Sequence, residues 1–266
     1  MIEELLEELN SFPGREEALR KEFRWKNRTP MFYRPHLSTH AKHVAWLTDE
    51  VAPSVLHTYP AFDAKRAFAL ALVHDDPEIV TGDYTAGDKA SMTKEQLQHI
   101  ADEEVEAINT LAERFPKTLG GFSYEELLLD MVNLETIEAQ VAKYMDRFDG
   151  YGEGVHEIYA GNKSFVGTVQ NEFGLTPRFG ELNVQLRTSM MDKFPLLFAL
   201  QGTHMLFSID PLPDFDTIVT TVAPHTRESL LQPTDCAQYD LWRGVILAKG
   251  TDEEILNLYS QKEFQT

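Results

Sequence analysis

Apolar residues recur every three or four positions along most of the first 160 residues, the spacing that buries one face of an α-helix. Strand-like alternation is scarce, so the pattern predicts an all-α fold. Ser123 with Glu126 forms a capping box at the start of one long helix, and Thr93 with Gln96 gives a similar signal for the helix before it. The predicted helices cover residues 2–10, about 15–25, 38–57, 63–75, 93–114 and 123–160.

The helical pattern is looser after residue 165. Further helices are predicted over 181–207, 226–231, 235–248 and 252–260, with a short hairpin around residues 217–223. No repeat, low-complexity tract or charge block separates the two regions. We therefore expect a helical domain over residues 1–165 and a mostly helical C-terminal extension over residues 166–266, packed on the same body.

Three glycines lie near the C-terminal end of the long predicted helix, at Gly150, Gly152 and Gly154. Each one costs roughly 1 kcal/mol relative to alanine in a helix interior. The sequence therefore predicts a kink or a break in that helix.

The chain carries 43 acidic and 24 basic residues, a formal net charge of -19. Such a surface repels duplex nucleic acid and anionic lipid, so a polymeric nucleic acid partner is not expected. No apolar run is long enough to span a membrane, and the acidic amphipathic N-terminus is unlike a secretory leader. The single cysteine, Cys236, cannot form an internal disulfide, so we expect a cytoplasmic protein.

The strongest chemical signal is an apolar helix, residues 64–73, that ends in His74, Asp75 and Asp76. Imidazole and carboxylate groups delivered side by side to the floor of a core need a partner, and a divalent cation would offset the cost of burying the carboxylate. Further ligands must come from other helices. His40 shares a helical face with apolar residues, and Asp146 lies in a mostly apolar helix, where Asp149 is a competing candidate.

These residues lie in motifs that resemble the YfbR-like 5'-deoxynucleotidases of the HD superfamily. The family's first histidine opens a helix as H-x-x-x-V-A, and here His40 begins HAKHVA. The second motif, HD-x-x-E-x-x-TGD, matches HDDPEIVTGD at residues 74–83, and the AGN turn that follows the last ligand matches residues 160–162. The resemblance covers roughly residues 24–165 and implies an HD-domain helical bundle.

The resemblance also implies roles for individual residues. One divalent ion (manganese, cobalt, iron, zinc or magnesium) would be held by His40, His74, Asp75 and Asp146. Glu78 would orient or deprotonate the attacking water, and Asp83 would meet the sugar and the leaving oxygen. Arg28, in RTPM, and Lys89, six residues after the TGD aspartate, would contact the substrate phosphate. Family members commonly form homodimers, so a homodimer is expected.

One departure from the family concerns the acidic residue that usually precedes the first histidine. Thr39 stands there in this chain, so the carboxylate that would support His40 is missing or moved. The other histidines (His36, His43, His57, His99 and His156) are interpreted as surface or packing residues.

The expected reaction is removal of the 5'-phosphate from a (deoxy)nucleoside monophosphate. A first alternative keeps the same metal site but releases triphosphate from a dNTP, and hydrolysis of alarmones or cyclic nucleotides has lower weight. An alternative of another class is a non-catalytic nucleotide sensor, against which the presence of Glu78 argues.

Overall fold

The computed structural model describes residues 1–26, 28, 31–176, 178–209, 211–222 and 226–259. The first nine helices are α1 (Ile2–Leu9), α2 (Arg15–Lys21), α3 (Leu37–Thr58), α4 (Ala64–Val73), α5 (Glu78–Thr81), α6 (Ala86–Ala90), α7 (Lys94–Arg114), α8 (Tyr124–Asn133) and α9 (Ile137–Tyr159). The next six are α10 (Phe179–Lys193), α11 (Pro195–Phe198), α12 (Phe215–Thr221), α13 (Arg227–Leu230), α14 (Ala237–Lys249) and α15 (Asp252–Tyr259). The expected all-α fold is confirmed.

Two antiparallel hairpins add short strands to the helices. Strands β1 (Thr118–Leu119) and β2 (Phe122–Ser123) pair with each other, as do β3 (Val169–Asn171) and β4 (Gly174–Thr176). Neither hairpin was predicted, because segments of two or three residues are too short to show alternation. The hairpin predicted around residues 217–223 is wrong: residues 215–221 form helix α12, and residue 223 lies outside the described part of the chain.

Helices α3, α4 and α9 pack against one another and form the centre of the molecule. Every residue of α4 from Ala67 to Val73 is buried, and α9 is buried on nearly all sides from Glu138 to Tyr159. A helix that is buried all round needs neighbours on every face. Polar side chains on α9 are therefore held inside the protein, where each one requires partners.

Helix α9 is continuous through its glycines, so the break predicted there is wrong. A Cβ atom at Gly152 would lie 2.3 Å from the Trp242 ring, and one at Gly154 would lie 2.3 Å from the Phe179 ring. The glycines therefore let α14 and α10 approach the α9 backbone closely. This contact brings the C-terminal region against the helix that carries Asp146.

The single helix predicted over residues 123–160 is instead the pair α8 and α9. Leu134 ends α8 in a left-handed conformation (φ 54°), and the Thr136 side chain accepts a hydrogen bond from the Ala139 amide at the start of α9. The helix predicted over 181–207 is also divided, since α10 ends at Lys193 and Pro195 begins α11. Among the described residues, no helix is long and apolar enough to cross a membrane.

Candidate metal and substrate site

The four predicted metal ligands come from α3, from α9 and from the end of α4, and three of them, His40, His74 and Asp146, offer ligand atoms within 4.8 Å of one another. His40 is the fourth residue of α3, which His36 caps, and Asp146 lies near the middle of α9. His74 and Asp75 follow directly after α4, where the chain leaves the helix. All four residues are buried. The structure therefore brings together residues that are separated by up to 106 positions in sequence.

The distances between the candidate ligand atoms match those between atoms that surround one cation. His40 Nε2 lies 3.2 Å from His74 Nε2 and 3.2 Å from Asp146 Oδ1. Asp75 Oδ1 lies 3.1 Å from His74 Nε2, and Asp75 Oδ2 lies 3.4 Å from His40 Nε2. Ligands about 2.0–2.2 Å from a metal ion stand roughly 3 Å apart, so these separations suit a single divalent ion.

The outer nitrogens of the two imidazoles are already engaged. His40 Nδ1 lies 2.7 Å from Asp149 Oδ2, and His74 Nδ1 lies 2.8 Å from the Ala71 carbonyl. Both partners are acceptors, which places the ring protons on Nδ1 and turns the two Nε2 lone pairs toward each other. Two lone pairs at this separation require a cation or a proton between them. The donor set therefore fits a divalent metal ion.

Asp149 lies at Nδ1 of His40, whereas Asp146 lies at Nε2, and Asp149 also forms a second group with His40 and Glu153 that could hold an ion. Besides its bond to His40, its Oδ1 accepts a hydrogen bond from Trp242 Nε1 at 2.7 Å and lies 3.4 Å from His43 Nδ1. The carboxylate that the family usually places before the first histidine is thus supplied from α9. His43 is buried in packing against Trp46 and Trp242, consistent with its interpretation as a packing residue.

The charges of the four ligands are mutually dependent. Burial alone would lower the pKa of His74, but Asp75 and Asp146 outweigh it and raise that pKa to about 9. Burial would raise the pKa of Asp146, but Lys143, 2.8 Å away, and the two histidines hold it well below its usual range. The cluster therefore holds positive charge strongly, and a metal ion can provide that charge in place of a proton.

The two predicted catalytic carboxyls lie beside this cluster at the same cleft. Glu78 begins α5, and its Oε2 is buried without a hydrogen-bond partner among the described residues. Burial, with Asp75 and Asp83 nearby, raises the pKa of Glu78 well above its usual value. Asp83 follows Gly82, whose left-handed φ of 75° turns the chain after α5. Burial and Asp75 raise the pKa of Asp83 to about 6.

The cleft also exposes basic side chains, although the chain as a whole is acidic. Lys89 lies on its wall together with Lys143 and Arg147. Arg28 lines it too, but its Nη1 donates to the Ser164 carbonyl and its guanidinium lies over the Phe165 ring, 5.2 Å from the centroid. Burial lowers the pKa of Arg28 to about 10. Arg28 is thus engaged with the protein backbone.

Arg24 is a cleft residue that the sequence analysis missed. Its Nη1 lies 3.9 Å from Asp75 Oδ2, and its Nε donates to Glu153 Oε2 at 3.0 Å. The next residue, Trp25, has a left-handed φ of 59°, and its Nε1 donates to the same oxygen at 2.7 Å. This anchored turn aims the Arg24 guanidinium at the ligand cluster. The sequence signal for Arg24 is the basic segment KEFRWKNR at residues 21–28, which does not single out one residue.

Another part of the cleft wall comes from β3 and α10. Its members are Val169, Phe179, Leu182, Asn183 and Leu186. A metal-binding floor, basic side chains and a largely apolar wall therefore face one cavity.

A match to one sequence-family model places the chain among known proteins. No curated protein matches the chain. Among solved structures, a conserved hypothetical protein from Pyrococcus furiosus is similar, with 19% sequence identity and a TM-score of 0.44; the match covers 56% of this chain and 81% of that one. The sequence model described as "5'-deoxynucleotidase YfbR-like" matches residues 17–175, more than half of the 266 residues, and this segment contains all of the proposed ligands. The chain is a member of the YfbR-like 5'-deoxynucleotidase family.

Proposed function

We propose that this protein is a metal-dependent phosphohydrolase that removes the 5'-phosphate from a (deoxy)nucleoside monophosphate. The observation that carries the proposal is the pair of facing Nε2 atoms of His40 and His74, joined by the Asp75 and Asp146 carboxylates at the floor of a cleft with basic side chains. Membership of the YfbR-like family supports the same reaction class.

His40, His74, Asp75 and Asp146 would hold one divalent ion. When bound, such an ion supplies Lewis acidity toward a phosphoryl oxygen and lowers the pKa of water at the site. Asp149 and the Ala71 carbonyl hold the two imidazole rings in the orientation that presents Nε2. The protein's own contribution is therefore a fixed, buried donor set that needs no rearrangement.

Glu78 is proposed to take a proton from the attacking water. Its neighbours Asp75 and Asp83 repel a further negative charge, which raises its affinity for that proton. Asp83, with its pKa raised to about 6, is proposed to give a proton to the departing 5'-oxygen. The bond from oxygen to phosphorus forms on one side and the bond to the 5'-oxygen breaks on the other, so the products are a nucleoside and orthophosphate.

Arg24 and Lys89 are proposed to neutralise the phosphate oxygens. Arg24 lines the cleft, and its Nη1 lies 3.9 Å from Asp75 Oδ2 in the ligand cluster. Guanidinium groups suit this task because they offer several donors in a plane. Arg28, predicted for the role, stays a prediction, since its guanidinium is engaged with Ser164 and Phe165.

The decisive experiment measures products from deoxynucleoside mono- and triphosphates with manganese, cobalt, magnesium or zinc, separated by chromatography. Nucleoside plus orthophosphate from a monophosphate is the expected result. Release of triphosphate from a dNTP would replace the proposal with the first alternative. Ligand-induced stabilisation without turnover, with metal bound, would favour the nucleotide sensor. Size-exclusion chromatography with light scattering tests the expected homodimer.

A further inference from the structure

Helix α10 lies beyond the segment that matches the family, which ends at residue 175, yet it forms part of the cleft wall. Phe179, Asn183 and Leu186 are spaced by four and three residues, so they share one face of α10. Leu182 lies beside them on the same wall. The part of the cleft wall that α10 supplies is thus apolar except for one amide.

That amide, on Asn183, is 6% exposed. Its Nδ2 donates to the Arg147 carbonyl at 3.3 Å, which fixes which end of the amide faces the backbone. Its Oδ1 is buried and has no hydrogen-bond partner in the part of the chain that the structure describes. A buried acceptor without a partner is unfavourable unless something supplies a donor. The position of Asn183 on the cleft wall means that a bound molecule can supply it.

We propose that α10 is the specificity element of this enzyme and that Asn183 Oδ1 accepts a hydrogen bond from an N–H group of the nucleobase, while Leu182 and Leu186 pack against the base. The proposal rests on the proposed function. A phosphate monoester is mostly dianionic at neutral pH, so its oxygens are chiefly acceptors and do not suit Oδ1. A sugar hydroxyl could donate, but an amide within an apolar wall suits a flat heteroaromatic ring that carries an N–H group at its edge.

The test compares substrates with and without a base in one variant. Asn183→Leu removes the acceptor at similar volume, and Gln185→Leu, on an exposed position of the same helix, is the matched control. For the best nucleotide of the panel, Asn183→Leu should lower kcat/KM about tenfold. For 2-deoxyribose 5-phosphate, the kcat/KM, or the inhibition constant where turnover is absent, should stay within about twofold. Gln185→Leu should change neither.

An analogue whose base N–H groups are methylated provides a second measurement. The wild-type protein should use it about tenfold less well than the parent nucleotide, whereas Asn183→Leu should no longer discriminate between the two. Equal losses on the nucleotide and on the abasic phosphate would overturn the inference in favour of a sugar contact or a purely structural role. No loss on either would overturn it as well. If the wild-type protein hydrolyses no nucleotide, the proposed function itself fails, and that result is distinct from the others.

Discussion

Asp75 and Asp76 are neighbours at the end of α4 and are both buried, but their surroundings differ. Asp76 receives two hydrogen bonds from Arg15, at 2.7 and 2.6 Å, and one from Tyr124 at 2.7 Å. Asp75 has no hydrogen-bond partner for its Oδ2 among the described residues and faces His40 and His74. Burial of a carboxylate therefore does not by itself indicate a functional site; incomplete satisfaction of a buried carboxylate does.

The largest expected effect is on the unsatisfied member of the pair. Asp75→Ala should abolish metal retention and lower turnover to less than about 10⁻⁴ of wild type, more than about 5 kcal/mol, because the metal's contribution to catalysis is lost. Metal content by mass spectrometry and phosphate release measure the two losses. The unfolding temperature of the variant should equal or exceed that of wild type stripped of metal. Normal activity in Asp75→Ala would sink the proposed mechanism.

Replacement of Asp76, whose carboxylate is fully hydrogen-bonded, should affect stability and not metal binding. Asp76→Ala leaves the buried Arg15 guanidinium without its partner and should destabilise the fold by about 3–5 kcal/mol, measured by urea unfolding. The molecules that remain folded should still bind metal stoichiometrically. Glu17→Ala, which breaks the exposed pair between Glu17 and Lys21 on α2, is the control and should leave the unfolding free energy unchanged. A stable Asp76→Ala protein that binds no metal would show that Asp76 serves the metal site and not the fold.

The sequence predicted the metal-ligand candidates because each one lies in a short motif on a helix with clear apolar periodicity. Histidine and aspartate at the end of a helix that is apolar from Ala67 to Val73 are recognisable without knowledge of the fold. The supporting residues were less visible. Asp149 holds His40 from another helix, and Arg24 reaches the cluster through a left-handed turn at Trp25, a conformation that no residue pattern indicates.

The errors in predicted secondary structure have two physical origins, tertiary contacts and local backbone conformations. The glycines of α9 looked like helix breakers because their function, close contact with Trp242 and Phe179, depends on helices far away in sequence. The break at Leu134 and the two short hairpins likewise depend on local backbone conformations that apolar periodicity does not encode. Tertiary contacts override propensity at the glycines of α9.

Asp149 is a third buried carboxylate, and one of its partners, His40, is a candidate metal ligand. Asp149→Asn should weaken metal binding about 10–100-fold, because the second partner of a metal-binding imidazole fixes its orientation and basicity. Competition with a fluorescent chelator measures the change. Asp130→Asn is the matched control, since Asp130 is a buried carboxylate that pairs with Arg66 and Thr136, away from the ligands. Equal weakening in both variants would indicate a general loss of structure.

The smallest expected effect concerns Asp83 and Asp88, two carboxylates on one wall of the cleft. Asp88 accepts hydrogen bonds from the Thr85 amide and hydroxyl and so caps α6, whereas burial raises the pKa of Asp83 to about 6. An unfolded aspartate has a pKa of about 3.9. Folding therefore favours the protonated form of Asp83, and the associated stability, fully present below about pH 4, is lost as the pH rises through about 6.

Asp83→Asn should remove this loss of stability at higher pH. In metal-free protein, the variant and wild type should unfold alike near pH 4, and the variant should be the more stable by up to about 1 kcal/mol at pH 7–8, since partial exposure of Asp83 reduces the effect. Its turnover should nevertheless fall, because an amide cannot donate a proton to the leaving oxygen. Asp88→Asn, in contrast, should lower stability by weakening the helix cap. A stability difference between wild type and Asp83→Asn that does not change with pH would show that Asp83, like Asp76, is satisfied by its surroundings and serves the fold.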